Sequence, residues 1–305
     1  MASGGEWTAV TLRLPFAMRQ IALVSLLFLV GCSATPSTGV VGGVVSAQVQ
    51  CLGQPVRYSM VGEGPVVLFV HGWSCCREHF RSQLADPNLG RARRLVAIDL
   101  PGHGESPPSA APLTMDTFAD AVVAVLDGIG ADDAVLVGHS NGMPVAMRVL
   151  TRHPRRVAGL VSIDGPMRPF FTDPAQAQRM LAPLQGAERT QFAERIVDGM
   201  LPKSMPAERR EFVRSTMLAT GQRGMAEGFA ATLDPAMWSP APIGVPLLVV
   251  NAPNPAWNAD YEAFVRRLRP DVDWQAMAGV SHFLHLDEPA EFGRRLGNFL
   301  TRIGR

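Results

Sequence analysis

A serine flanked by two glycines is the residue of this chain best suited to covalent chemistry. It lies in the pentapeptide Gly138-His139-Ser140-Asn141-Gly142, between an apolar run at 134–137 and an amphipathic segment at 143–153. The run predicts a buried parallel strand and the segment predicts a helix. In a strand-to-helix turn of this kind the glycines leave room for the neighbouring backbone, and the serine oxygen is held exposed. The pattern is short, so its meaning depends on the residues that would complete a site.

A serine hydroxyl is a weak nucleophile near neutral pH, so it needs a base, and the base needs an acid to orient it. His282 is the favoured base among the seven histidines. It follows the last apolar strand run at 272–276, and the carboxyl ends of parallel strands would bring it to the edge where Ser140 lies. His285 is the alternative. The sequence favours structural, turn or supporting positions for His71, His103 and His139.

Two aspartates compete for the role of the acid. Asp164 ends the apolar run 160–163, from which a carboxylate can reach a histidine at the adjacent strand end. Asp260 is the alternative, although it comes late after the run 247–250, and the residues in between start with Asn-Ala-Pro-Asn-Pro. Two other outcomes stay open: Asp164 caps the turn that follows it, or the site has no working acid.

Short apolar runs separated by helical segments predict a mostly parallel sheet with helices on both faces. The six runs of this kind are 66–70, 95–98, 135–137, 160–163, 247–250 and 272–276. Alternating apolar and polar residues at 46–62 predict an antiparallel pair at the sheet edge. Residues 118–129 have helical periodicity. The chain is therefore expected to be an α/β protein.

The segment 166–240 has helical periodicity and no convincing strand, and it is too long for a simple crossover between strands. It predicts a helical cap inserted after the sixth strand, at the carboxyl ends of the strands, where open α/β sheets bind ligands. The core would then consist of residues 48–165 and 241–305.

Four motifs, in chain order, resemble those of the α/β-hydrolase superfamily, in its capped serine esterase type. They are His71-Gly72-Trp73, the octapeptide from Asp99 to Ser106, the pentapeptide from Gly138 to Gly142, and the segment from Gly279 to Pro289. The resemblance covers about residues 50 to 300. It implies the α/β-hydrolase fold, with Ser140 as nucleophile, His282 as base, and the backbone N–H groups of Trp73 and Asn141 as the oxyanion hole.

The same resemblance bears on the acid and on the reaction. Most relatives carry the acid after the strand expected at 247–250, whereas some, including a group of dehalogenases, carry it at the place of Asp164. Dehalogenases and epoxide hydrolases of this fold have an aspartate where this chain has Ser140. The resemblance therefore implies hydrolysis of a carboxylic ester through an acyl-enzyme.

The predicted cap is rich in methionine and aromatic residues. These residues are Met167, Met180, Met200, Met205, Met217, Met225, Met237, Phe170, Phe171, Phe229 and Trp238. They could form an apolar roof over Ser140, with Met167, Phe170 and Phe171 lining a pocket for an acyl or aryl group. The alternative is that they only pack the cap helices against the core.

The N-terminal region predicts export. An apolar run at 21–30 follows Arg19 and has the length of a signal-peptide core. It ends in Leu29-Val30-Gly31-Cys32, which resembles the lipobox of bacterial lipoproteins, so residues 1–31 would be removed and Cys32 acylated. Met18 is then the more natural start, and residues 32–47 a flexible tether. The alternative is a buried strand or helix that happens to end in cysteine.

Export would place the remaining cysteines in an oxidising compartment, where disulfides form. Adjacent cysteines rarely bond each other without distorting the backbone. A bridge from Cys51 to Cys75 or Cys76 is therefore the expected pairing, with one thiol left over.

The composition of the chain argues against some classes of binding partner. The chain has 305 residues, 47% of them hydrophobic, and a net charge of +1, with dispersed basic residues that argue against binding nucleic acid. No metal-ligand cluster or phosphate loop is evident, so no metal and no cofactor is expected. The favoured hypothesis is a membrane-anchored bacterial lipoprotein, periplasmic or on the cell surface, that cleaves an apolar ester. A lipase, thioesterase or lactonase, or a non-catalytic binder of a hydrophobic ligand, are the alternatives, and the oligomeric state is open.

Overall fold

A computed structural model describes residues 39–41, 43–238 and 241–305. The predicted signal peptide, with Met18, and the predicted lipidation site Cys32 lie outside the described residues. Part of the predicted tether is strand, because residues 39–41 pair with residues 44–46 in a hairpin around a turn in which Gly43 has a φ of 84°. None of the helices in the described ranges is both long and apolar enough to cross a membrane.

The described strands form one sheet. They are β1 (Gly39–Val41), β2 (Val44–Cys51), β3 (Gln54–Val61), β4 (Val66–Val70), β5 (Arg94–Ile98), β6 (Ala134–His139), β7 (Val157–Ile163), β8 (Leu247–Asn251) and β9 (Asp273–Ala276). All six predicted apolar runs lie in strands, with bounds that differ by a few residues. The predicted edge pair is β2 and β3, which pair antiparallel.

The strand order is β1-β2-β3-β5-β4-β6-β7-β8-β9. The first three strands pair antiparallel with their neighbours, and β5, β4, β6, β7, β8 and β9 run parallel. The central strands β4 and β6 are buried along their whole length. A strand covered on both faces is apolar at every position, which explains the continuous apolar runs.

Helices cover both faces of this sheet. The described helices, in chain order and including those of the inserted segment, are α1 (Arg81–Leu84), α2 (Pro87–Gly90), α3 (Met115–Gly128), α4 (Gly142–Arg152), α5 (Pro174–Gln185), α6 (Arg189–Met200), α7 (Ala207–Leu218), α8 (Gln222–Ala230), α9 (Ala259–Leu268), α10 (Leu284–Asp287) and α11 (Pro289–Arg302). One hydrophobic cluster joins the sheet to α3, α4 and α9, and a second joins it to α1, α2 and α11. The architecture is the predicted α/β-hydrolase fold.

Helices α5 to α8 lie between β7 and β8, and β7 is the sixth strand when the short β1 is left out. A third hydrophobic cluster joins them to the loop that follows β4. It contains Trp73, Met205, Met217, Met225 and Phe283. At these positions the methionines pack the inserted helices against the core.

The expected disulfide is wrong: Cys75 and Cys76 are free thiols. Cys51 ends β2, whereas Cys75 follows β4, and two strands lie between β2 and β4 in the sheet. With strands about 4.8 Å apart, this separation is about 14 Å, roughly twice what a disulfide spans between Cα atoms. Burial raises the pKa of Cys75 well above its usual value and that of Cys76 to about 11, so both thiols stay protonated.

Candidate active site

Ser140 lies between β6 and α4 in a strained backbone conformation, with a φ of 50°. Its N–H donates to the carbonyl of Ile163 over 2.9 Å, which continues the parallel ladder for one residue before the chain turns into α4. The flanking glycines are required by close backbone contacts. A Cβ at Gly138 would lie 2.5 Å from the nitrogen of Met143, and a Cβ at Gly142 would overlap the carbonyl of Val70.

His282 lies in the loop between β9 and α10, and its side chain is 25% exposed. Its Nδ1–H donates to Asp164 Oδ2 over 2.6 Å. The residue before the nucleophile contacts it as well: His139 donates its Nε2–H to the carbonyl of His282 over 3.0 Å, and the two rings are 4.7 Å apart. The structure therefore brings His282 next to the turn that carries Ser140.

Asp164 follows β7 directly, with a φ of 48°, and its side chain is 1% exposed. While Oδ2 faces His282, Oδ1 accepts hydrogen bonds from the N–H of Ala252 over 2.8 Å and from the indole N–H of Trp257 over 2.7 Å. Three donors hold this buried carboxylate in one orientation. Such a carboxylate can hold the imidazole in the tautomer that leaves Nε2 free to accept a proton.

The two alternative residues lie elsewhere. Asp260 is in the first turn of α9, where its 73% exposed side chain pairs with Arg168 over 2.9 Å. His285 is fully buried and stacks on Phe80 at 5.1 Å between ring centroids. Burial lowers the pKa of His285 well below its usual value, so its ring stays neutral.

The loop after β4 contacts the serine turn. A Cβ at Gly72 would lie 2.9 Å from the Cβ of Ser140, so this approach requires glycine. The Gly72 carbonyl accepts hydrogen bonds from His71 Nδ1–H over 2.8 Å and from Cys75 N–H over 3.1 Å. Because a trans peptide is planar, the N–H of Trp73 points in the opposite direction from this carbonyl.

His71 holds that loop through both ring nitrogens. Its Nε2 accepts the N–H of Leu100 over 3.0 Å, which fixes the proton on Nδ1. Burial lowers the pKa of His71 to about 4, so the ring is neutral near pH 7. Within the described ranges, no acceptor pairs with the backbone N–H of Trp73 or Asn141. Two unpaired backbone donors beside a serine are the groups that could stabilise a developing oxyanion.

The octapeptide motif after β5 supports the same loop. The Asp99 carboxylate is fully buried and accepts hydrogen bonds from the N–H of Arg77 over 2.7 Å and of Glu105 over 2.9 Å, and it pairs with the Arg77 guanidinium. A Cβ at Gly104 would overlap this carboxylate. Asp99 thus connects the two loops that border the site.

The predicted pocket residues have different surroundings. Met167 is buried in the main core, and its N–H donates to the Tyr261 hydroxyl over 2.8 Å. Phe170 is 64% exposed and contacts Phe171 at 5.4 Å between ring centroids. Phe171 contacts Phe229 at 5.9 Å, and Phe229 contacts the Trp73 ring at 6.4 Å. A row of four aromatic rings therefore runs from the loop after β4 to the surface.

Sequence reasoning did not single out Trp257 or Ala252, although both donate to Asp164. They lie 93 and 88 positions away from it in the chain. The Pro-rich segment after β8 gave no short-range signal for this contact. In the part of the chain that the structure describes, no group of three or more His, Cys, Asp or Glu side chains is arranged to hold a metal ion.

The chain resembles several known proteins in sequence and in structure. The chain is 26% identical over 266 residues to the sn-1-specific diacylglycerol lipase of Mus musculus, covering 81% of this chain and 85% of that protein. The enol-lactonase from Burkholderia xenovorans has a similar structure, with a TM-score of 0.73 and 18% identity over 83% of this chain and 99% of that chain.

An epoxide hydrolase from Vigna radiata has a TM-score of 0.71 and 22% identity, covering 87% of this chain and all of that chain. Because the enol-lactonase and the epoxide hydrolase are each less than 25% identical to this chain, the comparison with them shows a shared fold and no more. The sequence model of the Alpha/beta hydrolase family matches residues 67–295, from β4 to α11. This match spans the serine turn, the inserted helices and the histidine loop, and the chain belongs to the alpha/beta hydrolase family.

Proposed function

We propose that the protein is a serine hydrolase that cleaves a carboxylic ester through an acyl-enzyme on Ser140. The observation that carries this proposal is the 2.6 Å hydrogen bond between His282 and the buried carboxylate of Asp164, beside the strained turn of Ser140. A nucleophile, a base and an acid that orients the base are the parts that acyl transfer requires. An aspartate nucleophile, which epoxide hydrolysis in this fold would need, is absent from that turn.

In the proposed first half-reaction, the Ser140 oxygen attacks the ester carbonyl carbon while His282 Nε2 accepts the serine proton. The carbonyl oxygen becomes an oxyanion, and the backbone N–H groups of Trp73 and Asn141 stabilise it. Each donor of this kind lowers the barrier by about 3–4 kcal/mol when it is fixed before the reaction. The intermediate then collapses, the bond to the alcohol oxygen breaks, and His282 protonates the leaving alcohol.

The second half-reaction repeats these steps with water. His282 accepts a proton from water, the resulting hydroxide attacks the acyl carbonyl carbon, and the oxyanion forms at the same two N–H groups. The bond to Ser140 breaks, the serine oxygen takes the proton back from His282, and the carboxylic acid leaves. Asp164 keeps the imidazole oriented and stabilises the imidazolium that forms twice.

The row of aromatic rings supports an apolar group on the substrate. Trp73, Phe229, Phe171 and the exposed Phe170 connect the proposed oxyanion donors with the surface. Aromatic side chains bind apolar groups of various shapes with little loss of side-chain entropy. The same machinery would serve a lipase, a thioesterase or a lactonase, and a hydrophobic ligand bound without turnover would use the same aromatic surface.

Two measurements on wild type and Ser140→Ala test the proposal. A fluorophosphonate probe should label the wild type on Ser140, and p-nitrophenyl esters should be hydrolysed. Both the labelling and the ester hydrolysis should be lost in Ser140→Ala. A matched control is Ser204→Ala, which changes a serine of the inserted segment and should leave both unchanged. Absence of labelling and of turnover in the folded wild type would leave the non-catalytic binder as the better explanation.

A further inference from the structure

Trp257 lies in the segment that follows β8, and its side chain contacts the proposed acid. Its indole N–H and the N–H of Ala252 both donate to Asp164 Oδ1, over 2.7 and 2.8 Å. The other oxygen, Oδ2, faces His282 Nδ1 at 2.6 Å. One oxygen of the carboxylate is therefore held by the β8 segment, and the other is left to the base.

Burial makes these donors difficult to replace. The Asp164 side chain is 1% exposed, so bulk water cannot take the place of a lost donor. The terminal torsion of an aspartate is broad and has no strong preference of its own. The two hydrogen bonds on Oδ1 therefore set this torsion, and with it the direction from which Oδ2 meets the imidazole.

The position of Trp257 is itself fixed. Its ring packs against that of Tyr261 at 4.8 Å between centroids. The Tyr261 hydroxyl accepts the N–H of Met167 over 2.8 Å and donates to the carbonyl of Gly165 over 3.2 Å. Both aromatic residues thus hold the segment after β7, and of the two only Trp257 bonds to the Asp164 carboxylate.

We propose that Trp257 is a positioning residue, whose indole N–H orients the Asp164 carboxylate and shares its negative charge so that Oδ2 aligns His282. This inference rests on the proposed function of Ser140, His282 and Asp164. Without the indole donor, more of the carboxylate's charge acts on His282, which favours the protonated imidazole. Protonated imidazole cannot act as the base, so activity is lost at a higher pH than in the wild type.

The other titratable groups around the pair are unchanged by this substitution. His139 and His285 face His282, and Tyr261 lies beside Asp164. Burial keeps both of these histidines neutral by lowering their pKa values well below the usual range. A displaced pH profile in a Trp257 variant therefore reports the pair of His282 and Asp164.

The test compares Trp257→Phe with two controls. Trp257→Phe keeps the ring but removes the donor, and we expect kcat to fall about five-fold with KM within about two-fold, a size typical of one lost hydrogen bond. The acidic limb of the pH–kcat profile should move to higher pH. Tyr261→Phe should lower the Tm without moving this limb, since its hydroxyl bonds only to backbone groups. Trp274 also contacts the Tyr261 ring but does not bond to Asp164, so Trp274→Phe should change neither kcat nor the position of the acidic limb.

A second readout does not depend on turnover. In ¹⁵N-labelled protein, the indole signal that Trp257→Phe removes should shift in Asp164→Asn, where an amide replaces the carboxylate. The downfield resonance of the His282 Nδ1 proton should move in Trp257→Phe and stay in place in Tyr261→Phe. An unmoved His282 resonance, or an indole signal insensitive to Asp164→Asn, would overturn the inference. If the wild type neither labels nor turns over, the proposed function fails, and these two signals still decide whether Trp257 orients the pair.

Discussion

Ser140 and Asp164 share a left-handed backbone conformation, with φ values of 50° and 48°, at the ends of the neighbouring parallel strands β6 and β7. For residues other than glycine this conformation costs about 1–2 kcal/mol each. The N–H of Ser140 donates to the carbonyl of Ile163, the residue before Asp164, so the two strained turns are directly joined. Backbone strain is thus concentrated at the two positions from which the proposed nucleophile and acid project.

This strain predicts opposite effects of glycine on activity and on stability at Ser140. Ser140→Gly and Ser140→Ala should both abolish ester hydrolysis, because both remove the hydroxyl. Ser140→Gly should nevertheless be more stable than Ser140→Ala by about 0.5–1 kcal/mol, since glycine adopts a positive φ without strain. Urea denaturation of the two variants measures the difference.

The control pair is at Ser215, within helix α7. There glycine should be less stable than alanine by about 1 kcal/mol, because alanine is the better helix former. If Ser140→Ala is at least as stable as Ser140→Gly, the prediction is contradicted, and the backbone of this turn is not strained at position 140.

The two candidate acids predict different variant activities. Asp164→Asn should lower kcat by about 10²- to 10⁴-fold, because the amide cannot stabilise the imidazolium and favours the wrong tautomer. Asp260→Asn should keep wild-type kcat and lose at most about 1 kcal/mol of stability, since its ion pair with Arg168 is exposed. Steady-state kinetics on one p-nitrophenyl ester compares them. Full activity of Asp164→Asn together with an inactive Asp260→Asn would assign the acid to Asp260.

Much of the fold could be predicted from the sequence, because its signals are local. A strand buried on both faces is continuously apolar, so the five runs from 66–70 to 247–250 were recognisable, and the predicted α/β-hydrolase fold is confirmed. The sixth, β9, is an edge strand that is only half-buried and carries polar residues. The pairing of β1 with β2 was not predicted at residues 39–45, because the Ser, Thr, Pro and Gly residues in and before this part of the sequence favour a linker over a strand. Its strand structure comes from pairing with the rest of the sheet.

The remaining features depend on long-range geometry. The disulfide from Cys51 was a wrong prediction, because the order in which β2, β3, β5 and β4 lie in the sheet is invisible in residue spacing. The contact of Trp257 with Asp164 was missed for a similar reason. It depends on the path of a Pro-rich segment after β8, and no periodicity describes such a path.

Buried histidines predict a loss of stability in mild acid. The fully or almost fully buried ones are His71, His79, His103, His139 and His285. Burial lowers the pKa of His71 to about 4 and those of His79 and His103 to about 3, and it holds the other two well below 6.5. The unfolded chain binds these protons more readily than the folded protein. Stability is therefore complete above pH 6.5 and falls as the pH decreases towards 4.

His285→Phe tests this for one ring. The His285 ring has no hydrogen-bond partner in the described part of the chain and stacks on Phe80, so phenylalanine should be accommodated there. Because one titrating group is removed, the stability lost between pH 7.5 and pH 5.5 should be smaller than in the wild type by about 1 kcal/mol. Urea denaturation at the two pH values measures both losses. Equal losses would show that His285 is not protonated on unfolding in this range.

A small cavity beside the proposed oxyanion donors predicts a preference for short acyl groups. The cavity is lined by Trp73 and Asn141 and by Phe118, Val145 and Gly228, and its volume is about 10 Å³. A cavity of roughly this volume holds a single water molecule at most. An acyl group whose carbonyl oxygen lies between the two N–H donors would therefore have room for little more than a methyl group. We expect kcat/KM to fall from p-nitrophenyl acetate to the butyrate and further to the octanoate.

Phe118→Leu should enlarge this cavity, since Phe118 forms part of its wall. The ratio of butyrate to acetate turnover should then increase by several-fold, because room for even one of the two additional methylenes of butyrate is worth about 0.8 kcal/mol in an apolar pocket. Phe299→Leu is the control, since Phe299 is equally buried but lies in the hydrophobic cluster on the other face of the sheet. It should leave the ratio unchanged. A wild type that prefers the octanoate would show instead that the acyl group binds along the aromatic row that ends at Phe170.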